Sequence, residues 1–157
     1  MDYSQDEINL KKILDTIINS TAGIKHVILI DDTGLTILSQ SKFSFSVDRD
    51  VSVEKIGAIG GAVFTAGEEQ GQVLGYGDIK TQITEYDKGL IFSMKTGKGI
   101  LCLATDLQVQ IGFIRAVLQK WGAKIAEILE RYLKSSEQEP LSAELKELFG
   151  PDNINLL

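Results

Sequence analysis

Asp32, Thr33 and Gly34 follow an apolar run and copy the core of the aspartic-peptidase motif. That chemistry needs two carboxylates sharing one proton across a dimer axis. The match is only three residues long, and Leu35 stands where a small residue usually follows. Such peptidases are nearly all β, whereas helical patterns dominate here, so the triplet reads first as a turn and second as a dimeric peptidase built on Asp32. His26 is the single histidine, so a Ser-His or Cys-His pair would have to form around it. It abuts an apolar strand and reads as a structural edge residue. Cys102, the single cysteine, excludes an internal disulfide and reads as a buried thiol. The glycines at 57, 60 and 61, and at 75 and 77, do not complete a dinucleotide fingerprint. Thr96-Gly97-Lys98-Gly99 lacks the upstream glycine of a P-loop and does not open a helix. No cofactor and no metal site is expected. Of the three arginines, Arg115 and Arg131 fall on a long helix, which leaves Arg49, in a loop, free to reach a partner. A loop arginine can stabilise charge on a transferring phosphoryl group, although the ordinary role is a solvated charge.

These residues must be positioned by a chain of 157 residues, about one domain, with 43% hydrophobic and 24% charged residues. No apolar run is long enough to span a bilayer and the first residues do not resemble a signal sequence, which predicts a cytoplasmic protein without membrane insertion. The formal charge of −6 argues against nucleic acid or an anionic membrane as the main partner, because both demand a cationic footprint. Proteins and small molecules remain.

Ser4 and Glu7 have capping-box spacing, and Leu10, Ile13, Leu14, Ile17 and Ile18 recur on one helical face. KHVILI, residues 25–30, is apolar on both faces like a strand inside a covered sheet, and the following turn leads into a second strand over 35–40. A loop of phenylalanines and serines ends at Asp50 or Ser52, either of which can cap the next helix. Beyond it, 78–86 alternates Ile79, Thr81 and Ile83 against polar residues, a half-exposed strand, and LIFSMK and ILCLAT complete a meander. A long helix follows Asp106, with Ile114, Val117, Leu118, Trp121, Ile125, Ile128, Leu129 and Tyr132 in one stripe. The predicted organisation is a domain over 1–134, then over 135–157 a polar linker and a short amphipathic segment carrying Leu141, Leu145, Leu148 and Phe149. Helix, two strands, helix, three strands, helix predicts a largely antiparallel sheet with helices on both faces.

The stretch over 53–71 organises this arrangement. At 100° per residue, Ile56, Ile59 and Val63, with Gly60 and Gly67, share an arc expected to lie on the sheet. The opposite arc, Ala58, Gly61, Ala62 and Thr65 with Glu54, Lys55 and Glu69 at its rim, is expected to meet a protein partner. Glycine inside a helix costs roughly 1 kcal/mol against alanine. Gly57, Gly60, Gly61 and Gly67 therefore imply close backbone approach, to the sheet and another protein or to the sheet within one subunit.

The order of elements, ILIDDTGLTILS, the glycine-spaced helix, and LATDLQVQIGFIR with Gly112 and Arg115 resemble the Roadblock family, relatives of dynein light chains and bacterial MglB proteins. The resemblance covers residues 5–133. It implies a five-stranded antiparallel sheet of the profilin-like type, with the middle helix on one face and the terminal helices on the other. It further implies homodimers, or heterodimers with a Roadblock paralogue, joined by sheet edges and middle helices, with Gly57, Gly61, Phe64, Ile79, Thr81 and Ile83 at the interface. Association with a Ras-like small GTPase follows, as scaffold, regulator or part of an activating module, with no catalytic motif to transfer. The alternatives are the Asp32 peptidase and a small-molecule-sensing α/β module.

Overall fold

A computed structural model describes residues 3–42 and 52–148, with side chains described over 5–42 and 52–135. The elements are α1 (Tyr3–Ile18), β1 (Ile24–Asp31), β2 (Thr36–Ser41), α2 (Val53–Leu74), β3 (Gln82–Tyr86), β4 (Gly89–Thr96), β5 (Gly99–Thr105) and α3 (Ile111–Leu148). The five strands form one sheet in the order β2-β1-β5-β4-β3, with every neighbouring pair antiparallel. This is the α+β architecture expected from the sequence.

The two-sided apolar strand lies next to the centre of the sheet because its side chains alternate between two cores. Val27 and Leu29 join Leu10, Leu14, Ile17, Phe92, Leu103, Ile114, Leu118 and Leu129 beneath α1 and α3. Ile28 and Ile30 join Phe64, Ile100 and Cys102 beneath α2. The second core is the smaller, and α2 is correspondingly poor in large buried side chains: only Gly57, Gly61 and Phe64 are buried.

That finding corrects the predicted rotation of α2. Ile59 and Val63 do not lie on the sheet; they are 55% and 48% exposed. The sheet-facing stripe is Phe64 with the glycines around it, and of the predicted arc only Ile56 packs partly against the smaller core beside Gly60 and Gly67. A Cβ on Gly57 would stand 2.7 Å from Thr36 Oγ1, one on Gly61 3.2 Å from the Gly34 Cα, and one on Gly67 2.9 Å from Ile79 Cδ1. The backbone of α2 comes so close to β2, the β1–β2 turn and the segment before β3 that Ile59 and Val63 stand on its flanks. A hydrophobic arc marks a buried face only when side chains, not backbone, make the contact.

Ser52 caps α2, its hydroxyl accepting from Lys55 N–H at 3.2 Å. The helix runs three residues past Gly71 and ends at Gly75, where φ is 71° and Tyr76 N–H donates to Gly71 O. Gly71 marks contact instead of termination: its missing Cβ would lie 2.6 Å from Gly77 O. Gly71→Ala is therefore expected to lower stability despite alanine's better helix propensity. Gly112→Ala, with nothing within 4 Å of the added Cβ, is expected to raise it by about 0.4–1 kcal/mol. Thermal melts of the two variants check the opposite signs.

Two further boundaries differ from the sequence prediction. Residues 78–81 are not strand: Ile79 turns back onto α2, its N–H donating to Glu68 Oε2 at 3.1 Å, and its side chain joins the smaller core. At the far end, α3 is helical throughout 135–148, including residues 135–139, where a polar linker was expected before the amphipathic segment. Glu137, Gln138 and Glu139 have good helix propensity and continue a helix already nucleated by the packed turns before them. Phe149 and the residues after it lie outside the described residues, as do Asp50 and Arg49.

Candidate functional site

Two grooves flank α2. The first lies between α2 and the β1–β2 turn and is built from small residues. Ala58, Gly61, Ala62, Thr65, Ala66 and Glu69 form the helix side and Asp32, Thr33 and Gly34 the other, around a shallow volume of about 390 Å³. The turn is fixed by Asp31, not Asp32. Asp31 Oδ1 accepts from Thr33 N–H at 2.8 Å, Thr33 Oγ1 at 2.6 Å and Leu35 N–H at 3.0 Å. Gly34 takes φ +90°, and its Cα touches the position of a Gly61 Cβ, so helix and turn meet backbone to backbone. Asp32 is left exposed. The Asp31 bonds account for the triplet as a turn, the reading the sequence put first.

The second groove lies on the other flank, over the outer faces of β3, β4 and β5. Ile56, Ile59, Val63, Tyr86 and Ile91 line it, with Gln82, Thr84, Ser93 and Cys102 supplying polar atoms, around about 220 Å³. The buried thiol of Cys102 lies 3.2 Å from Ser93 Oγ. Burial pushes its pKa up and the Ser93 hydrogen bond opposes the shift only partly. The native protein therefore keeps the proton at pH values where an unfolded thiol ionises, so this group's contribution to stability falls as pH rises above the ordinary thiol pKa. Since the thiolate is the nucleophile, iodoacetamide at pH 8 is expected to leave Cys102 unmodified in the folded protein and to label it fully in urea. Rapid labelling of the native protein, read by intact mass, would show an ionised, accessible thiol instead.

The structure brings Ala58, Ala62, Thr65 and Glu69 onto one exposed strip and places Glu54 and Lys55 in the exposed first turn. Gly61 lines the same groove but is buried against the turn. Of the residues expected at a dimer interface, Gly57 and Phe64 are buried within the chain and Ile79 is half-buried against α2. Thr81 is half-buried just before β3, while Ile83 is exposed on the strand. The sequence reading missed Ile59, Val63 and Tyr86 as surface residues. Glycine spacing was the available signal: 57, 60 or 61, 67 and 71 recur on one helical face and mark the sheet contact directly. His26 is not at a sheet edge, because β1 lies between β2 and β5 and His26 pairs with Ser41 on one side and Ala104 on the other; its Nδ1 is 2.8 Å from Ser41 Oγ. Among the described residues, no group of three or more His, Cys, Asp or Glu side chains could hold a metal ion. No helix among them is long and apolar enough to cross a membrane.

No protein-family model matches the chain. The uncharacterized protein MJ1340 of Methanocaldococcus jannaschii is 32% identical to it over 108 residues, covering 69% of this chain and 90% of the relative. The chain belongs to the family of that archaeal protein. Its fold is the Roadblock/LC7 fold. The gliding protein MglB of Thermus thermophilus superimposes with a TM-score of 0.71 at 13% identity, over 80% of this chain and 92% of MglB. A Roadblock/LC7 domain of Streptomyces avermitilis gives 0.63 at 17% identity, over 78% and 96%. In this chain of Roadblock/LC7 fold both grooves border the glycine-lined middle helix.

Proposed function

We propose that this chain is a dimeric, non-catalytic scaffold or regulator that binds a Ras-like small GTPase, as part of an activating module where its partner is accelerated. The observation that carries the proposal is the division of α2 into two unlike exposed flanks on a Roadblock/LC7 fold. One flank is apolar and continuous with β3: Ile59 and Val63 stand beside Tyr86, all exposed, while Ile83 is exposed on the other face of the same strand, paired with Phe92. β3 is also an edge of the sheet. Antiparallel pairing of two β3 edges would cover both liabilities at once, with a second copy or with a Roadblock paralogue. The other flank, Ala58, Ala62 and Thr65 with Glu54, Lys55 and Glu69 around them, has low relief and a charged rim, which suits a protein partner better than it suits solvent.

Single-turnover GTP hydrolysis by the partner, with and without the chain, tests the role. A trans arginine is worth about 10³–10⁵ in rate, whereas activation by ordering the partner's own switch residues needs none. Arg49→Ala is expected to retain binding and any acceleration. Retained binding with acceleration lost would identify Arg49 as the supplied charge.

A second reading, a small-molecule sensor, is favoured by the apolar groove with its Gln82, Thr84, Ser93 and Cys102 groups. It predicts a ligand-dependent rise in melting temperature with no change in subunit mass.

A further inference from the structure

On the opposite side of the sheet from α2, a third groove runs between α1 and α3. Ile13, Trp121 and Ile128 line it, with Lys12, Thr16 and Lys124 among its polar residues, around about 360 Å³. Lys11, Arg131 and Lys134 each pair with a carboxylate, whereas Lys12 and Lys124 form no ion pair among the described residues. Lys120 Nζ lies 5.1 Å from the Trp121 ring centroid, adding a third cation to this face. An acidic protein thus carries a basic, partly apolar groove. The complementary charge lies in its own sequence. Residues 135–157 contain five carboxylates and one lysine, and so hold −4 of the formal −6. Within them Leu141, Leu145 and Leu148 fall at helical spacing, with Glu144 and Glu147 beside them.

Through Leu148 the segment continues α3 and leads away from the groove of its own chain. Asp6, near the start of α1, is held 3.3 Å from Arg131, so α1 accompanies α3 only about that far. α3 then continues as helix to Leu148, 20 residues past Ile128 and about 30 Å along the axis at 1.5 Å per residue. We infer that the acidic helical segment of one copy docks in the α1–α3 groove of a second copy. Its leucines lie on Trp121 and Ile128, and Glu144 and Glu147 face Lys12 and Lys124. The contact follows the helix-in-groove pattern, and two-fold symmetry allows it to be reciprocal. It lies across the sheet from the α2 surfaces and does not depend on them.

Trp121, the only tryptophan and half-buried, reports on this groove alone. Its emission in the full chain is expected to shift to the blue as concentration rises, because association removes water from the indole. The shift should be lost in Lys12→Glu/Lys124→Glu and, separately, in Glu144→Lys/Glu147→Lys, and return when these two variants are mixed in equal amounts. Circular dichroism verifies that each variant is folded. Emission independent of concentration in the native chain, persistence of the shift in both variants, or no recovery on mixing would each overturn the inference. A shift seen only with phosphatidylserine vesicles would overturn it in favour of a lipid surface.

Discussion

Val63→Glu is expected to leave the chain folded and to turn the proposed dimer into a monomer. Val63 lies on the exposed apolar flank of α2, where a charge is solvated in the isolated subunit. In a two-fold interface the same substitution occurs twice, with each carboxylate facing an apolar surface and its symmetry mate. Full burial of a valine is worth about 1.5–3 kcal/mol and Val63 is half exposed, so losing about half of that twice and adding repulsion should raise the dimer Kd by about tenfold to a hundredfold or more. Ile59→Glu, one turn earlier, should act alike. Sedimentation equilibrium checks both, with unchanged circular dichroism showing that the subunit is intact. Dimer mass retained by both variants at micromolar concentration would place the subunit contact away from this flank.

Ala62→Glu is the second large effect, and it should abolish GTPase binding without disturbing the dimer. Ala62 is exposed in the groove between α2 and the β1–β2 turn. A longer charged side chain there would both fill the groove and lose its hydration on docking, which points to a loss of about a hundredfold or more. Ala58→Arg tests the same centre with the opposite charge, so failure of both variants would exclude a purely electrostatic cause. Glu69→Ala, at the rim, should alter mainly the association rate and its salt dependence. Calorimetric titration separates these outcomes. Gly61→Arg is unsuited to the purpose, because Gly61 is buried against Gly34 and a large side chain there would separate helix from turn within the subunit.

Where side chains make the contacts, the fold is legible in the sequence. The stripe of Leu10, Leu14 and Ile17, and that of Ile114, Leu118, Ile125 and Leu129, predict both helices of the larger core, and all seven are buried. The apolar character of KHVILI on both faces is likewise a property of side chains and predicts a strand between two layers. Legibility fails where backbone meets backbone. The glycines of α2 carry no hydrophobic weight, so a plot of apolar residues rotates the helix towards Ile59 and Val63 and puts the exposed flank inside. The same blindness makes Gly71 read as a stop. Residues 78–81 keep the alternation of a strand, but the bond from Ile79 N–H to Glu68 Oε2 depends on a residue eleven positions earlier in the sequence. No local pattern encodes that bond. Of the candidate site, the small-residue strip is legible because Ala58, Ala62 and Thr65 are conspicuous on a helix surface. The groove they share with the β1–β2 turn is not, since Asp31 and Asp32 are indistinguishable until one of them is seen to hold the turn.

The most direct test is titration of the native chain, Ala62→Glu and Val63→Glu against each Ras-like GTPase of the source genome, loaded with GDP or a non-hydrolysable GTP analogue, with complex mass read by light scattering. The predicted result is a nucleotide-dependent complex of one native dimer with GTPase, no complex with Ala62→Glu although it remains a dimer, and a monomer with Val63→Glu. A native chain that binds none of these GTPases in either nucleotide state, or one that binds equally well with Ala62→Glu, would contradict the assignment of α2 as the GTPase platform.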